Sequence, residues 1–279
     1  MLKHLICATP TYKGQLGFEH RTMTDNLRML CAFTMQAEMQ RKFSDRLLVP
    51  SARKYAFNYV GWMDISSCSI ARNRNRFLFN ALRLTLTPRG QNGTAGAPTP
   101  ADYLLMVDAD TSSDNAKAIL QMLTACDGEG AAVISAPVLR RDGRYNQIVE
   151  HDGKMLYADP AKFMGKVVPV RRAGGAFMAL NLAWFREHWG TWDPEDPWFH
   201  MKPATEPSGE PTDLAEDYVL CDGIAKRGGK LLLDARLEPY HDGAPYPPQH
   251  PYSRHGRVLE VEGRDETAED VTPAQAAEG

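Results

Sequence analysis

Asp108 and Asp110 stand one residue apart at the end of Tyr103-Leu104-Leu105-Met106-Val107, an apolar run of strand length. Two carboxylates so placed are hard oxygen donors. A small divalent cation takes one or two such groups and leaves its remaining positions to substrate phosphates. Open α/β sheets hold their ligands at the carboxyl ends of strands, so spacing and context together point to a metal–nucleotide site. The plain alternative is two acids that merely end a strand. His241, in the turn-like run Glu238-Pro239-Tyr240-His241-Asp242-Gly243, could add a neutral ring nitrogen as a further ligand.

Other residues could serve a phosphorylated ligand. Arg72 and Arg76 follow the serine-rich run Ser66-Ser67-Cys68-Ser69. They lie one helical turn apart near a helix N-terminus, an arrangement suited to a diphosphate. Thr9-Pro10-Thr11-Tyr12 follows the first apolar strand and offers hydroxyls and a ring to a nucleotide. Gly174-Gly175-Ala176 interrupts two apolar segments, as where backbone approaches a ligand or bends tightly. Asp217 lies in the first turn of a helix, whose dipole would keep it ionised and ready to accept a proton. Its neighbour Glu216 stands three residues after Asp213, as in a capping box. Trp192 and Trp198 fall in an aperiodic stretch rich in Pro and aromatics, where rings could form an acceptor platform.

These residues need elements to position them. Leu2 to Ala8, Tyr103 to Val107, Ala131 to Val138 and Lys230 to Asp234 read as strands, the first stopped by Pro10. Residues 22–42 carry Leu27, Leu30, Cys31 and Thr34 at helical spacing, and residues 70, 77, 78, 81 and 82 make a second stripe. Thr111, Ser112 and Ser113 offer N-caps to a helix over 115–123, and Leu182 to His188 reads as another helix. Residues 87–101 hold three Gly and three Pro and read as a flexible loop, and 189–213 as an acceptor lid. Strands alternating with helices define an α/β fold with a mostly parallel sheet.

With 279 residues and 43% hydrophobic content, the chain can bury one sizeable core. We expect a single domain over 1–256 and an acidic disordered tail over 257–279. The five cysteines are dispersed and odd in number, which excludes a disulfide scaffold and the CxxC zinc pattern. They fit a reducing, cytoplasmic compartment, and no segment reaches the length of a membrane span. The net charge of −3 hides a gradient: residues 1–100 hold 14 Lys/Arg against 5 Asp/Glu, and residues 201–279 hold 8 against 16. The basic first third suits a phosphate-rich ligand.

Taken in order, Thr-Pro-Thr-Tyr at 9–12, Ser-Ile-Ala-Arg-Asn-Arg at 69–74, Leu-Leu-Met-Val-Asp-Ala-Asp at 104–110, Gly-Gly-Ala-Phe-Met at 174–178, Ala-Glu-Asp-Tyr at 215–218 and Pro-Tyr-His-Asp at 239–242 resemble the GT-A glycosyltransferases. The likeness is to the small family-2-like enzymes of phages and bacteria, and it covers about residues 2–242. It implies a Rossmann-like nucleotide-sugar-binding fold. Asp108 would lie near the ribose or the metal, Asp110 would bind Mn²⁺ or Mg²⁺, and His241 would complete the ligands. Thr9, Pro10, Thr11, Tyr12, Arg72 and Arg76 would contact the nucleotide. Gly174 to Ala176 would line donor sugar and acceptor, and Glu216-Asp217 would form the catalytic pair with Asp217 as base. A UDP-sugar is the favoured donor. The acceptor hydroxyl could belong to a hydroxymethylated pyrimidine in phage DNA or to a surface glycan. Inversion and retention both remain open, because the helix after Glu216-Asp217 lacks the family's usual aromatic pattern. A sugar-nucleotide nucleotidyltransferase would need a Gly-rich basic loop after strand one, where this chain has only Lys13-Gly14. A non-catalytic binding module would have no use for Asp110, Asp217 and His241 together.

Overall fold

The computed structural model describes residues 2–11, 23, 25–28, 31, 56–66, 69–87, 97–113, 115–138, 148–151, 154–157, 165–205 and 208–241. In chain order, β1 (Leu2–Thr11) and β2 (Ala56–Ser66) precede α1 (Ile70–Arg83), β3 (Thr85–Leu86) and β4 (Thr99–Pro100). Next come β5 (Tyr103–Val107), β6 (Thr111–Ser112), α2 (Ala116–Gly128), β7 (Val133–Ser135), β8 (Ile148–His151) and β9 (Lys154–Tyr157). The second half holds β10 (Val167–Pro169), β11 (Phe177–Asn181), α3 (Leu182–His188), β12 (Lys202–Thr205), β13 (Pro211–Leu214), α4 (Glu216–Lys226), β14 (Leu231–Asp234) and β15 (Tyr240–His241).

Seven strands form the central sheet in the order β10-β14-β7-β11-β5-β1-β2. β2, β1, β5, β7 and β14 share one direction, and β11 and β10 run against it. β5 lies in the middle, paired on one side with β1 and on the other with β11. Its five residues are all buried, and they alternate between two cores as a strand's side chains must. Leu104 and Met106 join Phe77, Leu78, Phe185, Leu220 and Ile224 from α1, α3 and α4. Tyr103, Leu105 and Val107 join Ile119, Met122 and Leu123 of α2, together with Met23, Leu27 and Cys31, which are helical. The result is an α/β fold with helices on both faces of a mostly parallel sheet, the architecture the sequence implied.

Several local expectations change. Pro10 does not stop β1, which runs on to Thr11 in register with β2. Pairing with β5 ends at Ala8, so no ladder bond on that side is lost at the missing proline N–H. Thr111 and Ser112 are strand rather than cap. The cap of α2 is Asn115, whose side chain accepts from Ala118 N–H, while Ser113 Oγ accepts from Asn115 N–H. The ends of the 87–101 loop are ordered, because Thr85–Leu86 pairs antiparallel with Thr99–Pro100 and Ala101 is buried. The 189–213 stretch is not wholly irregular, since β12 and β13 make a two-stranded ribbon within it. Asp213 lies in β13, so there is no capping box: α4 starts from Ala215, which makes no side-chain cap. Ile70 leaves the apolar stripe and is 50% exposed. Leu30, Thr34, Tyr12, the side chain of Thr11 and the 257–279 tail lie outside the described residues. Cys7, Cys31, Cys126 and Cys221 are all buried, and none is in a disulfide. No described helix is long and apolar enough to cross a membrane.

Candidate functional site

The carboxyl end of β5 meets the loop before β11 and the start of α4. Asp108 N–H donates to the Ala176 carbonyl at 3.0 Å, and Thr111 N–H donates back to the Asp108 carbonyl at 2.9 Å. Those two bonds fix a turn that carries Asp108 and Asp110, both half-buried. β6 then pairs antiparallel with β15, setting His241 opposite Thr111 and Tyr240 opposite Ser112. The pairing brings His241 to the residue that follows Asp110, from the far end of the described chain.

Arg74 organises the charges. Only 3% of its side chain is exposed, and its guanidinium donates from Nη2 to Asp108 Oδ1 at 2.9 Å and from Nη1 to Glu216 Oε1 at 2.6 Å. One cation thus bridges the turn after β5 and the first turn of α4. Glu216 is thereby an ion-pair partner, and not a capping residue. Nε of Arg74 is buried with no hydrogen-bond acceptor among the described residues. Burial opposes the charge on Arg74, and the nearby Asp108, Glu216 and Asp217 carboxylates outweigh it and hold the guanidinium protonated.

Gly175 makes this packing feasible. A Cβ there would lie 2.6 Å from Arg74 Nη1, so the close backbone approach read from the Gly-Gly pair is an approach to this guanidinium. The surrounding loop is pinned three ways. Ser135 Oγ donates to the Gly174 and Phe177 carbonyls at 2.7 and 3.1 Å. Arg172 makes a two-pronged pair with Asp222 of α4, at 2.8 and 2.7 Å. Gly175 N–H donates to Asp217 Oδ2 at 2.8 Å, while Asp217 Oδ1 accepts from Tyr218 N–H at 2.8 Å.

Asp217 departs from the expectation of a carboxylate held ionised by the helix. Its pKa is raised, chiefly by burial and further by Glu216, against the opposing pull of Arg74 and the two backbone donors. Desolvation outweighs helix and hydrogen bonds here. A carboxylate shifted in this direction binds a proton more readily, which suits a general base.

Arg72 and Arg76 are exposed and lie elsewhere. Each is two residues from Arg74, about 160° away around the helix axis. They line an open cavity of about 690 Å³ with Phe79, Trp192, His200 and Met201. The diphosphate pair expected at these positions is therefore on the face of α1 turned away from Asp108. The inward place belongs to Arg74, which a stripe defined by apolar types alone does not include. Its signal was available: position 74 falls on the same stripe as 77, 78 and 81, so a charge there is a charge in the core.

Two further expectations meet burial. Trp198 is 1% exposed and stands in the core, where its face is closed to an acceptor, whereas Trp192 is 38% exposed and packs edge-on against it at 5.3 Å. Thr9 and Pro10 are buried at the end of β1. Among the described residues, no three His, Cys, Asp or Glu side chains are gathered closely enough to form a ready metal cage.

The site thus sits where open α/β sheets place ligands, at strand carboxyl ends. No protein-family model and no curated protein matches the chain. Among solved structures it is similar to A197 from STIV, at 13% identity and a TM-score of 0.42 over 86% of this chain and 85% of that one. It is also similar to GalNAc-T7 solved with UDP, GalNAc and Mn²⁺, at 12% identity and a TM-score of 0.41, covering 87% of this chain and 45% of that one. A third likeness is S. aureus TarS 1-349, at 10% identity and a TM-score of 0.37, over 88% and 61% of the two chains.

Proposed function

We propose that the protein is a glycosyltransferase that moves a sugar from a nucleotide-diphosphate sugar, a UDP-sugar first among them, to an acceptor hydroxyl. The observation that carries this reading is the Arg74 bridge, which draws the Asp108–Asp110 turn and the Glu216–Asp217 pair to one place. Asp217, with its raised pKa and its Oδ2 on Gly175 N–H, takes the proton from the acceptor hydroxyl as the new glycosidic bond forms. Gly175, whose N–H holds Asp217, leaves room beside it for the Arg74 guanidinium, and Gly174 and Ala176 flank it toward the donor sugar. Asp108, held by Arg74, meets the ribose side of the donor.

Asp110 and His241 would hold Mn²⁺ or Mg²⁺, with Asp108 beside them. Two or three protein donors completed by phosphate oxygens fit such a cation, which does not require a full protein cage. The ion would supply neutralisation of charge on the departing diphosphate. The acceptor is a hydroxyl of a hydroxymethylated pyrimidine in DNA, with a surface glycan as the alternative.

The test is a thermal-shift panel of UDP, GDP, CDP and TDP with and without Mn²⁺. A ligand at a hundred times its dissociation constant adds about 2.7 kcal/mol. A manganese-dependent rise with one nucleotide is expected. No rise with any of them would overturn the donor reading. Hydrolysis or transfer of the matching nucleotide sugar then separates a transferase from a non-catalytic binding module.

A further inference from the structure

The outer face of α1 carries charges that the Asp108 centre does not use. Arg72 and Arg76 lie one turn apart on a face away from that centre, both exposed, and no carboxylate among the described residues pairs with either. The wall opposite them is built rather than loose. Asn75, buried beneath the pair, donates from Nδ2 to the Phe199 carbonyl at 2.6 Å and accepts Phe199 N–H at 2.9 Å. That double bond fastens the segment around 197–201 to the helix. Trp198, sunk in the core, backs the exposed ring of Trp192, and Met201 stands 53% exposed on the same rim. In this loop Asp196 pairs with Arg227 and lines a neighbouring cavity, while the exposed Asp193 and Glu195 flank Pro194 in the chain and none of the three lines the cavity itself. A positive pair and a braced aromatic face therefore border one open cavity of about 690 Å³.

We propose that this cavity is an acceptor-recognition site for a single strand of nucleic acid. The inference rests on the glycosyltransferase reading for its use of the word acceptor. The two residues are spaced about 6 Å along the helix axis, so their side chains can reach successive phosphates of one strand. Trp192 then offers a base its ring, the combination of basic groove and stacking platform by which single strands are held. A neutral glycan would need neither guanidinium.

The experiment is fluorescence anisotropy of a labelled twelve-nucleotide single strand of mixed sequence, with an abasic strand of equal length and charge as comparison, at several salt concentrations and without nucleotide sugar. Wild type should bind the base-bearing strand more tightly than the abasic one. The double variant Arg72→Ala/Arg76→Ala should weaken binding to both strands and flatten the log–log salt slope by about 1.4, some 0.7 for each lost phosphate contact. Trp192→Ala should weaken the base-bearing strand alone, by about 5- to 100-fold. Trp192→Phe should restore part of that loss, and unliganded melting temperatures establish that each variant is folded. No binding by wild type, an unchanged slope in the arginine variant, or equal affinity for both strands would each overturn the site. None of these readouts involves the donor, so failure here is separate from failure of the nucleotide panel.

Discussion

The two faces of α1 carry arginines in opposite circumstances. On the inner face, Arg74 is enclosed and its guanidinium is answered by Asp108 and Glu216. On the outer face, Arg72 and Arg76 border an open cavity with aromatic walls. Burial makes the difference. A guanidinium removed from water must find its counter-charges within the protein, and once it has them it behaves as part of the framework. One left at the surface of a cavity keeps its donors for something that arrives. Three arginines spaced two residues apart thus divide into one locked into the framework and two that border an open cavity.

The sharpest test of the inner face concerns chemistry. Asp217→Asn should lower transfer by about 10²–10⁴-fold while donor binding in the nucleotide panel persists; wild-type turnover would remove Asp217 as the base. Next in size, Arg74→Ala leaves Asp108 and Glu216 without their cation and should destabilise the fold by about 3–5 kcal/mol in urea unfolding. Lys at the same position can reach one carboxylate but not bridge both, and should recover only part. Gly175→Ala drives a methyl into the Arg74 guanidinium and should cost about 1–3 kcal/mol, and less in an Arg74→Ala background if the clash is with that side chain. A stability change larger than about 0.5 kcal/mol in Arg72→Ala/Arg76→Ala would break the comparison itself, because the outer face is expected to contribute almost nothing to folding.

The pH dependence supplies a finer contrast. Asp217 has a raised pKa in the folded state, so its contribution favours folding below the ordinary Asp range of about 4 and is lost as pH rises through the folded value. Urea midpoints of Asp217→Asn, measured against wild type from about pH 4 upward, should therefore omit that loss. Identical pH profiles for the two proteins would contradict the direction of the shift.

Much of the framework is legible in the amino-acid sequence. The run from Tyr103 to Val107 reads as a strand buried on both sides and is one, and Leu182 to His188 is the helix its sequence indicated. The acids at 108, 110, 216 and 217 were visible as residues with chemistry to offer. Less legible were features that depend on partners distant in sequence. Glu216 satisfied a local capping pattern, but Arg74, 142 positions away, claims it. Trp198 and Trp192 share one loop and one residue type, and only the packing of the core tells the buried ring from the presented one. The register of β6 against β15 likewise has no local signal, since two-residue strands are too short to show a period.

That last pairing bears on how the protein comes into being. Thr111 is held opposite His241, about 130 residues later in synthesis. A ribosome makes roughly 5–20 residues per second, so the turn bearing Asp110 waits many seconds for the strand that pins it. The sheet can collapse around β1, β2 and β5 in the meantime, but the nascent chain has no completed site. Its competence arrives late, as one of the last steps of assembly.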